Sequence, residues 1–204
     1  MRFTTLTVLV GAVLAVMTAP ADAAWKTYIS RDFGFSFTAP GEVKAERGIF
    51  KGEKDGDHGS GDHRAVIFRS FDNNIEYTAT VVDFNSQVGD AASLLQEAVV
   101  VFQNGGKTVM DNYGRINNIY GRKVTVDLAN NGGRSMATFY FNKGYLYRMQ
   151  ATVLPANGDY ASPDAARFVD SEVWLLRNNI FEAHPFPPHD FPDEASATEL
   201  KLPN

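Results

Sequence analysis

The feature that most constrains this chain is a run of period-2 alternation between residues 119 and 154, broken at regular intervals by asparagine and glycine. In the stretch 119–129, Val124, Val126 and Leu128 share one face, and Lys123, Thr125 and Asp127 share the other. In 145–154, Tyr145, Tyr147, Met149, Ala151 and Val153 oppose Leu146, Arg148, Gln150 and Thr152. Such alternation places successive side chains on opposite faces of a sheet. Strands are expected near 107–115, 119–129, 134–142 and 145–154. Asn117-Asn118, Asn130-Asn131-Gly132-Gly133 and Asn142-Lys143-Gly144 supply the turns, because these residues tolerate positive φ. The expectation is an antiparallel meander with one face more apolar than the other.

Upstream, Trp25 to Ile29, Phe33 to Phe37 and Val43 to Lys51 read as strands, and Pro40-Gly41 stops the second. Residues 65–71 and 75–84 flank Asp72-Asn73-Asn74 and form a hairpin. Asp90 is positioned to cap a helix over 91–102, with Leu94, Leu95, Ala98, Val101 and Phe102 as its apolar stripe and Gly105-Gly106 as its end. Ser162-Pro163-Asp164 opens a second helix. The spacing of Val169, Val173, Leu176 and Ile180 extends that helix to about 180.

The ends differ in character. Residues 1–23 carry Arg2, an apolar run from Leu6 to Met17, Pro20 and the small-residue pattern Ala21-Asp22-Ala23. That is the pattern of a cleaved secretory signal, and the run is short for a membrane span. The mature chain is therefore expected in the periplasm or outside the cell, with one domain over 24–181. Residues 182–204 contain His184-Pro185-Phe186-Pro187-Pro188-His189 and five acids against one base. They read as an extended, proline-rich acidic tail, available as a docking peptide.

Composition excludes several functions. The chain has 204 residues, no cysteine and a net charge of −5. Thiolate nucleophiles, disulfides and iron–sulfur clusters are absent, and an acidic balance opposes nucleic-acid binding. The loop 52–63 offers Asp55, Asp57, His58, Asp62 and His63 as ligands for weak Ca²⁺ or Zn²⁺ binding, although the spacing is not that of an EF-hand. His58-Gly59-Ser60-Gly61-Asp62 lacks the geometry of a nucleophile elbow, and Gly105-Gly106-Lys107 lacks a phosphate-cradling pattern. The polar sheet positions Glu76, Lys123, Asp127, Arg148 and Gln150 either form a wet rim or converge on a ligand. The aromatic residues Tyr113, Tyr120, Phe139, Tyr140, Phe141, Tyr145 and Tyr147 either pack across strands or line a pocket. No catalytic constellation emerges, and the chain reads as a non-enzyme.

The opening Phe33-Gly34-Phe35-Ser36-Phe37-Thr38-Ala39-Pro40, the hairpin with Tyr77 to Asp83, the meander and the closing Arg167-Phe168-Val169-Asp170-Ser171 together resemble the PsbP-like superfamily of small secreted and periplasmic proteins. The resemblance implies an α+β fold in which an antiparallel sheet is sandwiched by helices. It implies a binding or assembly-accessory role with a protein partner, and it supplies no catalytic residue. Phe35, Phe37, Pro40, Phe168 and Ser171 would be fold positions. A small-ligand carrier or enzyme would instead need a pocket between sheet and helix.

Overall fold

The structure is a computed structural model that describes residues 23–51, 62–84, 91–175, 198–200 and 202. The signal segment, most of the 52–63 loop and residues 182–197 of the tail lie outside the described residues. The strands are β1 (Trp25–Ser30), β2 (Phe35–Pro40), β3 (Lys44–Lys51), β4 (Asp62–Asp72), β5 (Ile75–Asp83), β6 (Gly106–Ile116), β7 (Ile119–Leu128), β8 (Arg134–Asn142), β9 (Tyr145–Val153), β10 (Val173–Trp174) and β11 (Thr198–Glu199). The helices are α1 (Ala91–Gln103) and α2 (Pro163–Val169).

A seven-stranded antiparallel sheet runs in the order β3-β4-β5-β9-β8-β7-β6. The meander and the β4–β5 hairpin are those expected from the alternation. Their turns use Asn73 and Asn74 (φ 46° and 55°), Asn117 (φ 54°), and Lys143 with Gly144 (φ 50° and 87°). Left-handed pairs of this kind match the twist of the strands they join.

The first two strands do not extend this sheet. β1 and β2 form a second sheet in the order β10-β2-β1-β11, with β11 parallel to β1. β2 lies in the middle and is buried along most of its length. This small sheet and α2 cover the inner face of the large sheet. Phe35, Phe37 and Phe168 meet Phe68, Tyr77, Met149 and Tyr147 there in one core. Ring pairs stitch the two layers together, with centroids of 5.3 Å for Phe35–Tyr147, 6.0 Å for Phe37–Phe168 and 5.2 Å for Tyr77–Phe168. The outer face carries α1 over β6, β7 and β8. Leu94, Ala98 and Val99 pack there on Val124, Val126, Ala137, Phe139 and Leu146.

The helix-sandwich expectation therefore needs correction. The fold is mostly β, and its inner layer is a small sheet with one short helix. The second helix stops at Val169 rather than near 180, and Val173 belongs to β10. Ser171 explains the stop. Its hydroxyl donates to the Phe168 carbonyl (2.7 Å) and accepts from the Thr38 N–H (3.0 Å), so it ties the chain to β2 instead of continuing the helix. Along α1, Val99 is fully buried while Val101 is 39% exposed, so the buried stripe takes in Val99 in place of Val101. At the tail, Thr198 and Glu199 add to the edge of β1, Leu200 is buried, and its N–H donates to the Ile29 carbonyl (2.7 Å).

Candidate functional site

The expected polar and aromatic groups divide between faces. Lys123 and Asp127 point to the inner face at its rim, where Lys123 pairs with Asp170 (2.6 Å) and Asp127 with Arg134 (2.7 Å). The hydrogen bond from Arg134 holds the Asp127 carboxyl below its usual range. Glu76, Arg148 and Gln150 belong to the outer face, where Glu76 opposes Thr152 and Gln150 opposes Thr78. The five positions do not converge. Tyr140 and Tyr147 are core residues packed on Trp174, at 6.1 Å and 4.7 Å between centroids. Phe139 lies under α1 against Phe102.

Tyr113 and Tyr120 behave differently: they are 81% and 67% exposed. β6 is the edge strand, and its pairing with β7 sets Tyr113 opposite Arg122 and Arg115 opposite Tyr120 on the outer face. The Arg122 guanidinium lies 4.6 Å from the Tyr113 ring centre and that of Arg115 5.9 Å from the Tyr120 ring, within cation–π range. Arg122 is held in place by Asp111 (2.9 Å) and by Gln96 of α1 (2.7 Å). The result is an ordered ladder of two tyrosines and two arginines beside α1. Val109, at the β6 bulge, is 49% exposed.

Two buried polar places escaped the sequence reading. Glu172, between α2 and β10, is 1% exposed, and both carboxylate oxygens lack a hydrogen-bond partner. Burial pushes its pKa up to about 8. Burial, and after it the charge of Glu172, raises the pKa values of the Tyr140 and Tyr147 phenols. Glu172 falls where the apolar spacing predicts continued helix, so no motif marks it. The second place is on the outer face of β5 and β9. There Thr80 Oγ1 and Arg148 Nε are buried without partners, on residues directly opposite one another. Arg148 was visible as a polar position, but the β5–β9 pairing that joins it to Thr80 crosses about seventy residues.

The loop ligands are only partly described. Asp55, Asp57 and His58 lie outside the described residues. Asp62 and His63 are adjacent in β4, not in a loop, so their side chains leave on opposite faces. The His63 ring packs on Phe84 at 4.0 Å between centroids. Among the described residues no three His, Cys, Asp or Glu side chains gather as a metal would require. The alternative expectation was a ligand pocket between sheet and helix; Leu94, Ala98 and Val99 of α1 and Phe168 and Val169 of α2 pack directly on the sheet. An open groove of about 290 Å³ lies instead between β1, β3 and the C-terminal segment, lined by Lys26, Tyr28, Glu42, Val43 and Leu200. Among the described residues no helix is long and apolar enough to cross a membrane.

No family model matches the chain, and no curated protein matches it. Among solved structures it is similar to the solution structure of cyanobacterial PsbP (CyanoP) from Synechocystis sp. PCC 6803. The match has 14% sequence identity and a TM-score of 0.47, and it covers 79% of this chain and 96% of that one. PsbP is the family that the opening strand and the closing helix resemble.

Proposed function

We propose that this chain is an exported, non-enzymatic binding or assembly-accessory module that contacts a protein partner through the Tyr113–Arg122–Arg115–Tyr120 ladder. The observation that carries the reading is the exposure of two ordered tyrosines, each with an arginine against its ring. Tyrosine and arginine are enriched in interface cores, since both offer large contact area and a polar tip. The Asp111 and Gln96 contacts fix Arg122 before any partner arrives, which lowers the entropy lost on binding. Residues 1–23 direct export, and the location of action is the periplasm or beyond.

A photo-crosslinking residue at position 113 or 120, in protein expressed in its own host, tests this directly. Both positions should capture the same partner, and position 71, beside the β4–β5 turn at the opposite end of the sheet, should not. Tyr113→Ala with Tyr120→Ala should weaken capture about tenfold or more while leaving the melting temperature nearly unchanged, because both side chains are exposed. Equal labelling from all three positions would defeat the reading.

A further inference from the structure

The large sheet ends in β3 on one side and β6 on the other, and among the described residues no strand pairs with the outer side of either. An unpaired edge presents a row of backbone donors and acceptors to any strand that fits. β3 is guarded by charge, with Lys44, Glu46, Arg47 and Lys51 in one short strand. β6 is longer, and its exposed side chains include Val109 and Tyr113. Its bulge falls between Thr108 and Met110, so the stretch from Met110 to Ile116 is regular. α1 packs mainly on β7 and β8, and α2 on β8 and β9, so both helices leave that edge open.

The backbone of this stretch has a fixed sense. Ile116 and Ile119 flank the two-residue turn Asn117-Asn118, and residues flanking such a turn exchange backbone hydrogen bonds. Bonded and non-bonded pairs alternate from there. Ile116, Gly114, Asn112 and Met110 therefore bond to β7, whereas the N–H and C=O groups of Asp111, Tyr113 and Arg115 point to the open edge. The side chains of those three share the outer face, opposite Val124, Arg122 and Tyr120.

A second copy of the same stretch is complementary to this edge. In antiparallel pairing, a two-fold axis through Tyr113 sets Tyr113 against its own counterpart and Asp111 against Arg115 on both sides of the axis. All three outward residues then find partners. An axis through Asp111 or Arg115 sets like charges face to face, which destabilises a cross-strand pair. An axis through Asn112 or Gly114 runs an outward residue into the bulge or the turn. Asp111 accepts from Arg122 Nε through Oδ1 (2.9 Å), and from Arg122 and Gln103 through Oδ2, so Oδ1 keeps one acceptor position for the incoming arginine.

We propose that the partner of the tyrosine–arginine ladder is a second copy of this chain, joined antiparallel through residues 110–116 of β6 into one continuous sheet. This rests on the docking reading and names its partner. Pairing places the two ladders side by side. Each Tyr113 keeps the Arg122 guanidinium against its ring and gains the other copy's Tyr113 as an aromatic neighbour.

The test is sedimentation velocity of the chain purified from its own host, over a range of concentrations, where a reversible monomer–dimer equilibrium is expected. Arg115→Glu sets like charges opposite Asp111 on both sides of the axis and should weaken the dimer about tenfold or more. Tyr113→Pro removes an N–H that only the edge uses, so it should abolish the dimer and leave the circular dichroism of the monomer unchanged. Phe71→Ala, at the opposite end of the sheet, should dimerise as the parent does. A nitroxide on Asn112→Cys, in a chain with no other cysteine, should couple closely between copies, and one on Phe71→Cys should not. A chain that stays monomeric at every concentration, a dimer indifferent to Arg115→Glu and Tyr113→Pro, or coupling at position 71 and none at 112 overturns the proposal. Host crosslinking separates the two readings: if a monomeric chain captures a different protein from positions 113 and 120, the docking reading stands and the second copy falls.

Discussion

Glu172 holds its proton far more tightly in the fold than in the unfolded chain. Its pKa moves from 4.5 to about 8 because a carboxylate buried there finds no donor. Between these two values the folded state keeps a proton that the unfolded state has released. Stability therefore falls as pH rises through this window, by up to about 1.4 kcal/mol per pH unit, and levels off above the folded pKa. Its contribution is complete below the unfolded value. The expected outcome is a urea midpoint that drops between pH 5 and pH 8 in the parent and drops much less in Glu172→Gln. Parallel pH profiles for the two proteins would show that Glu172 is ionised in the fold. Such a residue is invisible in sequence because its neighbours are distant. Tyr140 and Tyr147, whose phenols it influences, lie in β8 and β9 and come together with it only when β10 docks on β2.

Elements whose signals are local were legible. The β4–β5 hairpin, α1 and the four-strand meander follow from alternation, turn residues and a terminating glycine pair, all within a few positions of one another. α2 was half legible. Its Ser-Pro-Asp start was clear, but Val169, Val173 and the residues beyond them keep helical spacing for a short apolar run, where period alone does not separate helix from strand. The deciding contact, Ser171 with Thr38, spans 133 residues. The C-terminal strand shows the same limit. A composition rich in proline and acid predicts an unattached tail, yet Leu200 finds an apolar seat and β11 finds the free edge of β1. Burial of one leucine is worth about 1.5–3 kcal/mol, whereas the exposed Arg31–Glu199 pair at 3.7 Å is worth little. Leu200→Asp should therefore lower stability by about 1–3 kcal/mol in urea unfolding, and Glu199→Gln should change it by less than about 1 kcal/mol. Equal effects would mean that the segment is held by charge and not by its leucine.

At the scale of the whole molecule, one sheet was expected and two were found. Alternation says that a strand buries a face, but not against which layer. The segment entering β2 gave a partial hint, since aromatic side chains at 33, 35 and 37 exceed what a half-exposed edge strand needs. The candidate site and the buried polar places were less legible for the same reason. The tyrosine–arginine ladder needs the β6–β7 register, and the Arg148–Thr80 pair needs β5 beside β9. The two-sheet arrangement has a consequence for cooperativity. Both tryptophans, Trp25 and Trp174, sit in the small sheet, whereas most of the backbone in strands belongs to the large one. Tryptophan fluorescence thus reports one layer, and far-UV circular dichroism mainly the other. Phe35, Phe37 and Phe168 bury against Phe68, Tyr77 and Tyr147 in a single core, so neither layer keeps its apolar face covered without the other. The two probes should give coincident denaturant transitions. Phe37→Ala should move both to lower denaturant together, with a loss of about 3–5 kcal/mol. A fluorescence transition that precedes the dichroism transition would mean that the small sheet detaches first and that the shared aromatic core does not bind the layers into one folding unit.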